Sequence, residues 1–279
     1  LPNLPNAIPY KTSYYNKGWG FCLSHEQLEN LNKNETYDVY IDSSFSKGSM
    51  TLGEKTLGNK VGGKNYLLTT YPCHPSLGND NLSGVVLWTL LLKEMNDLQL
   101  RNNYRFVIHP ETIGAVAYLS MNESEMIDID GGFIISSVAG PGKIGFKKTY
   151  KENSIIDYAT ELTLKEKDIN YIEYFFDADA GSDERQYSSQ FFSIPMATIC
   201  KDKYFEYDFY HTSLDNLEFI SGEFLVETLE IYMDVINKLE NNFYYKSLNT
   251  KCEPMLGKRD LYPKTGGQLK QSVGKLDND

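Results

Sequence analysis

The chain has 279 residues, 41% hydrophobic and 23% charged, the balance of a folded globular protein with room for one large domain or a large and a small one. Its 27 basic against 38 acidic residues leave a net charge of −11, which argues against nonspecific nucleic-acid binding. No apolar run approaches the roughly 20 residues of a membrane span, and Leu1-Pro2-Asn3 opens no secretory pattern.

Residues 1–20 are rich in Pro, Asn and Tyr and read as an extended strap. Ser24-His25-Glu26-Gln27 ahead of Leu28 and Leu31 is a capping-box pattern, which predicts a short helix with His25 in its exposed first turn. Tyr37–Ser43 alternates at period two, as a half-buried strand does. Five glycines between Phe45 and Gly63 signal hairpin turns. Residues 20–64 are therefore expected to form a small β-rich subdomain.

From residue 65 the pattern changes to strand–helix alternation. Short apolar, β-branched or aromatic runs predict strands at 66–71, 104–109, 132–138, 171–176 and 194–200. Helices are predicted at 83–96, 113–121, 154–167 and 221–241, the last with an apolar stripe near the 3.6 period. Alternation of this kind gives the expected fold class: α/β, a mixed, mainly parallel sheet with helices on both faces. Residues 1–19 and 65–250 are assigned to this domain, and 251–279 to a polar tail broken by Pro and Gly. The four cysteines, Cys22, Cys73, Cys200 and Cys252, are scattered without a C-x-x-C pair. Reduced thiols in a cytoplasmic protein are expected, rather than a disulfide framework or a cysteine-only zinc site.

The stretch from Thr70 to Gly84 leaves a buried strand, passes Pro72, Pro75 and Gly78, and enters a buried helix. Open α/β sheets place their chemistry at such junctions. His74 and Asp80 lie on this loop, and imidazole with carboxylate suits zinc. Cys73 precedes His74, and in an extended segment neighbours point to opposite faces, so Cys73 is given to the core. His109 and Glu111 flank Pro110 at a second strand-to-helix junction, where a carboxylate could accept a proton from an activated water. His109 is a reserve ligand. Gly181–Tyr187 is a dense polar cluster in which Asp183 could brace a site group and Arg185 could grip a substrate carboxylate. His211 follows Tyr210 just before the last helix, and Arg185 and Tyr210 are the candidate substrate contacts.

His74…Asp80-Asn81-Leu82-Ser83-Gly84, Pro110-Glu111-Thr112-Ile113-Gly114, Ser182-Asp183, Ile194-Pro195 and Tyr210-His211-Thr212…Asp215-Asn216 occur in that order. Together with Trp19-Gly20-Phe21-Cys22 and Leu256-Gly257-Lys258-Arg259, they resemble the zinc aminopeptidase family with a phosphorylase/hydrolase-like α/β core. The resemblance is closest to the aminopeptidase-like proteins of bacterial polysaccharide-biosynthesis gene clusters, which add a small inserted β domain and, in longer members, a C-terminal winged helix. It implies zinc ligands at His74, Asp80 and His211, a general base at Glu111 and a bracing role for Asp183. Two-metal members carry a second glutamate where this chain has Thr112, and an aspartate after the next strand, where it reads Ile135-Ser136-Ser137-Val138-Ala139. Two of the five ligands of a metal pair are thus missing, and one zinc per chain is expected.

The expected function is a mono-zinc hydrolase of amide or peptide bonds, acting on a small peptide or amide substrate and binding neither nucleic acid nor membrane. The alternatives are a zinc-containing binding or scaffold protein that has lost peptidase activity, and an amidohydrolase of amino-sugar substrates. The tail matches only the start of the winged helix and the N-terminus begins inside the family pattern, so a fragment, or a member lacking those parts, is expected.

Overall fold

The computed structural model describes residues 1–261 apart from 13–15, 17, 59, 60, 75, 244–246, 249, 253, 254 and 260. Most of the expected tail therefore lies outside the described residues. Two compact units are distinguished, Leu1–Asn241 and Asn242–Asp279. In the second, Leu256–Arg259 forms a 3₁₀ turn.

In the first unit a seven-stranded sheet is built from β1 (Gly53–Leu57), β2 (Asn65–Thr70), β3 (Asn103–Ile108), β4 (Gly131–Ile134), β5 (Ile144–Lys147), β6 (Ile172–Tyr174) and β7 (Met196–Lys201), in the order β1-β3-β2-β4-β7-β5-β6. β3, β2, β4 and β7 run parallel. β1 is antiparallel to β3, and β5 is antiparallel to β7 while parallel to β6. The sheet is therefore mixed and mainly parallel, as the alternation of the sequence implies. The helices are α1 (His25–Glu29), α2 (Gly84–Asn96), α3 (Ile113–Met121), α4 (Glu123–Met126), α5 (Ile155–Glu166), α6 (Glu184–Tyr187) and α7 (Gly222–Asn241).

Strand side chains alternate between two cores, because successive residues point to opposite faces of a sheet. Tyr66 and Leu68, Tyr104 and Phe106, and Phe133 face one core with Leu87, Trp88 and Leu91 of α2, Ile156 of α5, and Ile231, Val235 and Leu239 of α7. Leu67, Val107, Ile134 and Met196 face the other with Ala115, Tyr118 and Leu119 of α3 and Met126 of α4. Both faces are covered, so β2 and β4 are buried along almost their whole length. Tyr232 pins α7 to β7: its hydroxyl accepts the Ile199 N–H at 3.2 Å and donates to Ile199 O at 3.1 Å.

The capping box of α1 is present, Ser24 accepting from Gln27 N and the Gln27 side chain accepting from Ser24 N. Elsewhere in 20–64 the strand is β1, and it joins the main sheet beside β3. Tyr37–Ser43 differs from the strand its period predicts. Among the described residues it has no ladder partner, and each of its residues is exposed, since alternation forms a strand only where one face has something to bury against.

Candidate functional site

β2, β3 and β7 end on one side of the sheet, and the loops that follow them carry His74 and Asp80, Glu111, and His211; Asp183 and Arg185 come from the segment between β6 and β7. Between β2 and α2 the chain makes a π-type turn, Gly78–Ser83, in which Asp80 and Asn81 leave helical geometry. This turn is held from several sides. The buried Asp215 carboxylate accepts Asn79 N at 2.6 Å, Asp80 N at 3.0 Å and the Tyr207 hydroxyl at 2.8 Å. Asn81 donates through Nδ2 to Thr70 Oγ1 and Tyr71 O, both at 3.0 Å. At Gly84 a Cβ would lie 2.2 Å from Asn81 Oδ1 and 2.5 Å from Ile135 O, so glycine alone lets α2 start against the end of β4.

Three sequence-predicted residues meet above this turn. Ligand-type atoms of His74, Asp80 and His211 all lie within 4.8 Å of one another. Asp80 Oδ2 is 3.1 Å from His211 Nε2 and 4.0 Å from His74 Nε2. The Asp80 side chain is 2% exposed, His74 9% and His211 29%, so one side of the group opens to solvent. Rings enclose the rest. Tyr71 packs on His74 at 5.3 Å and Tyr10 lies against both imidazoles. Tyr210, read from sequence as a substrate contact, stacks on His211 with centroids 4.0 Å apart.

Glu111 stands beside the group. Its Oε2 is 3.6 Å from His74 Nε2 and its Oε1 accepts the Ser182 hydroxyl at 2.6 Å. Burial pushes the Glu111 carboxyl above its ordinary range; the Ser182 hydrogen bond and His74 draw it down, and Asp80 adds to the rise. Asp183 is fully buried. Its Oδ1 accepts the N–H of Thr112 at 2.6 Å, while Oδ2 has no hydrogen-bond partner among the described residues. Asp183 thus braces the backbone next to Glu111. Glu184 is also buried, paired with Lys147 at 2.6 Å, so the charges of 183–184 are interior rather than a solvated turn. Arg185 is half-buried and reaches Ser182 O through Nε at 3.4 Å.

Cys73 departs from the expectation. Its Sγ is 3.4 Å from His74 Nδ1 and accepts Glu111 N at 3.2 Å, and Cys73, His74 and Glu111 form a second trio of donor atoms. Residues 71–74 have left the strand, so the alternation that would separate neighbours no longer holds. Cys73 does also pack partly against the second core. His109, the reserve ligand, lies apart. Its Nε2 faces the hydroxyls of Tyr187 at 2.7 Å and Thr69 at 3.1 Å, and it joins neither trio.

Tyr10, Tyr71, Ser182 and Asp215 were not assigned roles from the sequence alone. Ser182 and Asp215 fall inside recognised motifs, but Tyr10 and Tyr71 carry no local signal. Tyr10 reaches the group because the strap pairs with the His211 loop. Tyr10 N donates to His211 O at 2.7 Å, and Ser213 N donates to Ile8 O at 2.8 Å.

The model of a family described as a domain of unknown function, DUF4910, matches residues 5–242. A protein of Clostridium acetobutylicum, provisionally named a polysaccharide biosynthesis protein with an aminopeptidase-like domain, is 40% identical over 96% of this chain and 61% of its own length. A crystal structure from Clostridium acetobutylicum, provisionally named a peptidase, superposes with a TM-score of 0.84 at 39% identity, covering 93% of this chain and 60% of that one. The chain thus spans about three-fifths of the length of these relatives. A zinc aminopeptidase from Bacillus subtilis shares the fold, with a TM-score of 0.57 at 17% identity over 67% of this chain and 48% of that one.

Proposed function

The chain belongs to the DUF4910 family and is one of the aminopeptidase-like proteins, and from that premise we propose that it is a mono-zinc hydrolase of amide bonds in small peptides or related amides. The observation that carries this reading is the convergence of His74, Asp80 and His211, distant in sequence, with Glu111 at their side.

The donor set fits the ion. Two imidazoles and one carboxylate are a common catalytic zinc set that leaves a position open, and the three donors share one half-open pocket. His74, Asp80 and His211 would hold it. When bound, the ion supplies Lewis acidity, polarising a carbonyl and acidifying water near neutral pH. The remaining work falls to the chain. Ser182 occupies Oε1 of Glu111, and Oε2 faces His74 Nε2 on the side of the three donors. Oε2 takes a proton from the attacking water as its oxygen bonds to the carbonyl carbon, and returns it to the amide nitrogen as the C–N bond breaks. The raised proton affinity of Glu111 suits both transfers. Asp183 holds Thr112 N and through it the position of Glu111. Arg185 is kept as a substrate contact, whereas Tyr210 acts by holding His211.

The provisional name of the relative favours an amino-sugar or peptidyl-sugar amide within this reaction class. A binding or scaffold protein without peptidase activity is the second reading. It is favoured by Thr112 and by the carboxylate-free stretch Ile135-Ser136-Ser137-Val138-Ala139, the two places where the family resemblance implies further ligands in two-metal members. Glu111→Gln separates the readings. It should keep its zinc and lose roughly 10²–10⁴-fold in turnover, measured by elemental analysis and cleavage of aminoacyl amides and N-acylated amino sugars. Activity that survives with zinc bound would refute the base assignment. A zinc-loaded wild type that cleaves none of these amides would favour binding.

A further inference from the structure

Resting on the assignment of His74, Asp80 and His211 as the ligands, we propose that Tyr71 is a positioning residue that makes Asp80 a one-oxygen ligand and limits the centre to a single ion. Asp80 has two oxygens and the structure gives them different partners. Oδ2 faces His211 and His74. Oδ1 accepts the hydroxyl of Tyr71 at 3.1 Å. The single phenolic hydrogen is thus directed to Oδ1. The phenol oxygen then accepts from Ser136 Oγ at 2.7 Å, with Ser137 Oγ a further 3.4 Å on.

A carboxylate that bridges two cations uses both oxygens. Here the outer position at Oδ1 is filled by a proton on a side chain that is 2% exposed, anchored in the core beside Leu67, Val107 and Ile134. A second cation would have to expel that hydroxyl. Next to the phenol it would meet the neutral hydroxyls of Ser136 and Ser137, against repulsion from a first divalent ion about four times that between unit charges. The same residue lies against the ring of His74, so Tyr71 touches two of the three donors. Groups in this relation to a ligand fix its orientation, and their loss typically weakens metal binding roughly 10–100-fold.

The experiment is titration of chelator-stripped wild type, Tyr71→Phe and Ser136→Ala with Zn²⁺ by calorimetry, and with Co²⁺ by visible absorption. Wild type should take one equivalent. Tyr71→Phe should bind zinc about 10–100-fold more weakly. Its Co²⁺ form should absorb less strongly, because the freed oxygen raises the coordination number; loss of packing alone would not produce that signature. Ser136→Ala should shift both readouts the same way by less, and it decides the matter if the Phe variant does not fold. Unchanged affinity and spectrum in the variants, or two equivalents in wild type, would overturn the proposal. Failure of the underlying assignment looks different: wild type would bind no zinc, or Asp80→Asn would bind it as wild type does.

Discussion

His211 is the least buried of the three donors, yet it is tightly placed. It adopts a positive φ of 51°, is stacked by Tyr210, and is joined through its carbonyl to Tyr10 N. A non-glycine residue in that region of backbone space is held there by its surroundings, and here the surroundings aim Nε2 at Asp80. His25, by contrast, opens α1 and belongs to neither donor trio. His211→Ala should therefore lose zinc at least about 10–100-fold more readily, whereas His25→Ala should retain it like wild type. Zinc content after graded dialysis against a chelator measures both. Equal retention by the two variants would remove His211 from the site. The cysteines also divide at this scale: burial pushes Cys200 up to about 12 and Cys73 up to about 11, so neither is a ready nucleophile at neutral pH.

At the scale of elements, the strap is the least obvious part of the site. Ile8, Pro9 and Tyr10 pair with residues 211–213 through an isolated antiparallel bridge and backbone hydrogen bonds, outside the seven-stranded sheet. Removing residues 1–10 should leave far-UV circular dichroism close to that of the full chain. It should also weaken zinc binding by about tenfold or more, since the His211 loop loses its partner; unchanged affinity would show that the loop holds its shape alone. This pairing was not legible in the sequence, because long-range register leaves no local mark. The junctions after β2 and β3 were legible. Apolar runs broken by Pro72, Pro110 and Gly78 fix where strands stop, and His74, Asp80 and Glu111 stand at those stops. β5 escaped because it is four residues long, contains Gly145 and ends on the buried Lys147, leaving no periodicity to read. Tyr37–Ser43 misled for the opposite reason, a clean alternation with nothing to pack on.

For the molecule as a whole, the arrangement carries a cost that pH can expose. Asp183 is fully buried, and its Oδ2 has no hydrogen-bond partner among the described residues. Burial first, then the charges of Glu111 and Glu184, push its carboxyl well above the ordinary range, against Thr112 N and Arg185, which draw it down. His109 Nδ1 also faces it, at 3.8 Å, but burial lowers the proton affinity of that imidazole, so it offers little compensating charge at neutral pH. The sign follows from linkage. A carboxyl whose folded pKa lies above its unfolded value binds its proton more tightly in the folded state, so its contribution to stability is full below the unfolded pKa of about 3.9 and is lost as pH rises through the folded pKa. Asp183→Asn removes that loss while its amide oxygen can still accept Thr112 N. In chelator-stripped protein the variant should be more stable than wild type at pH 7–8, by on the order of 1–3 kcal/mol, the usual cost of an unpartnered buried polar atom. The gap should shrink as pH falls toward 4, which thermal melts across that range would record. If bracing Glu111 is why the charge is kept, the same variant should be slower in the amide hydrolysis proposed for this site despite the higher Tm. A variant that is both less stable at pH 8 and fully active would show that the carboxylate is neither strained nor needed.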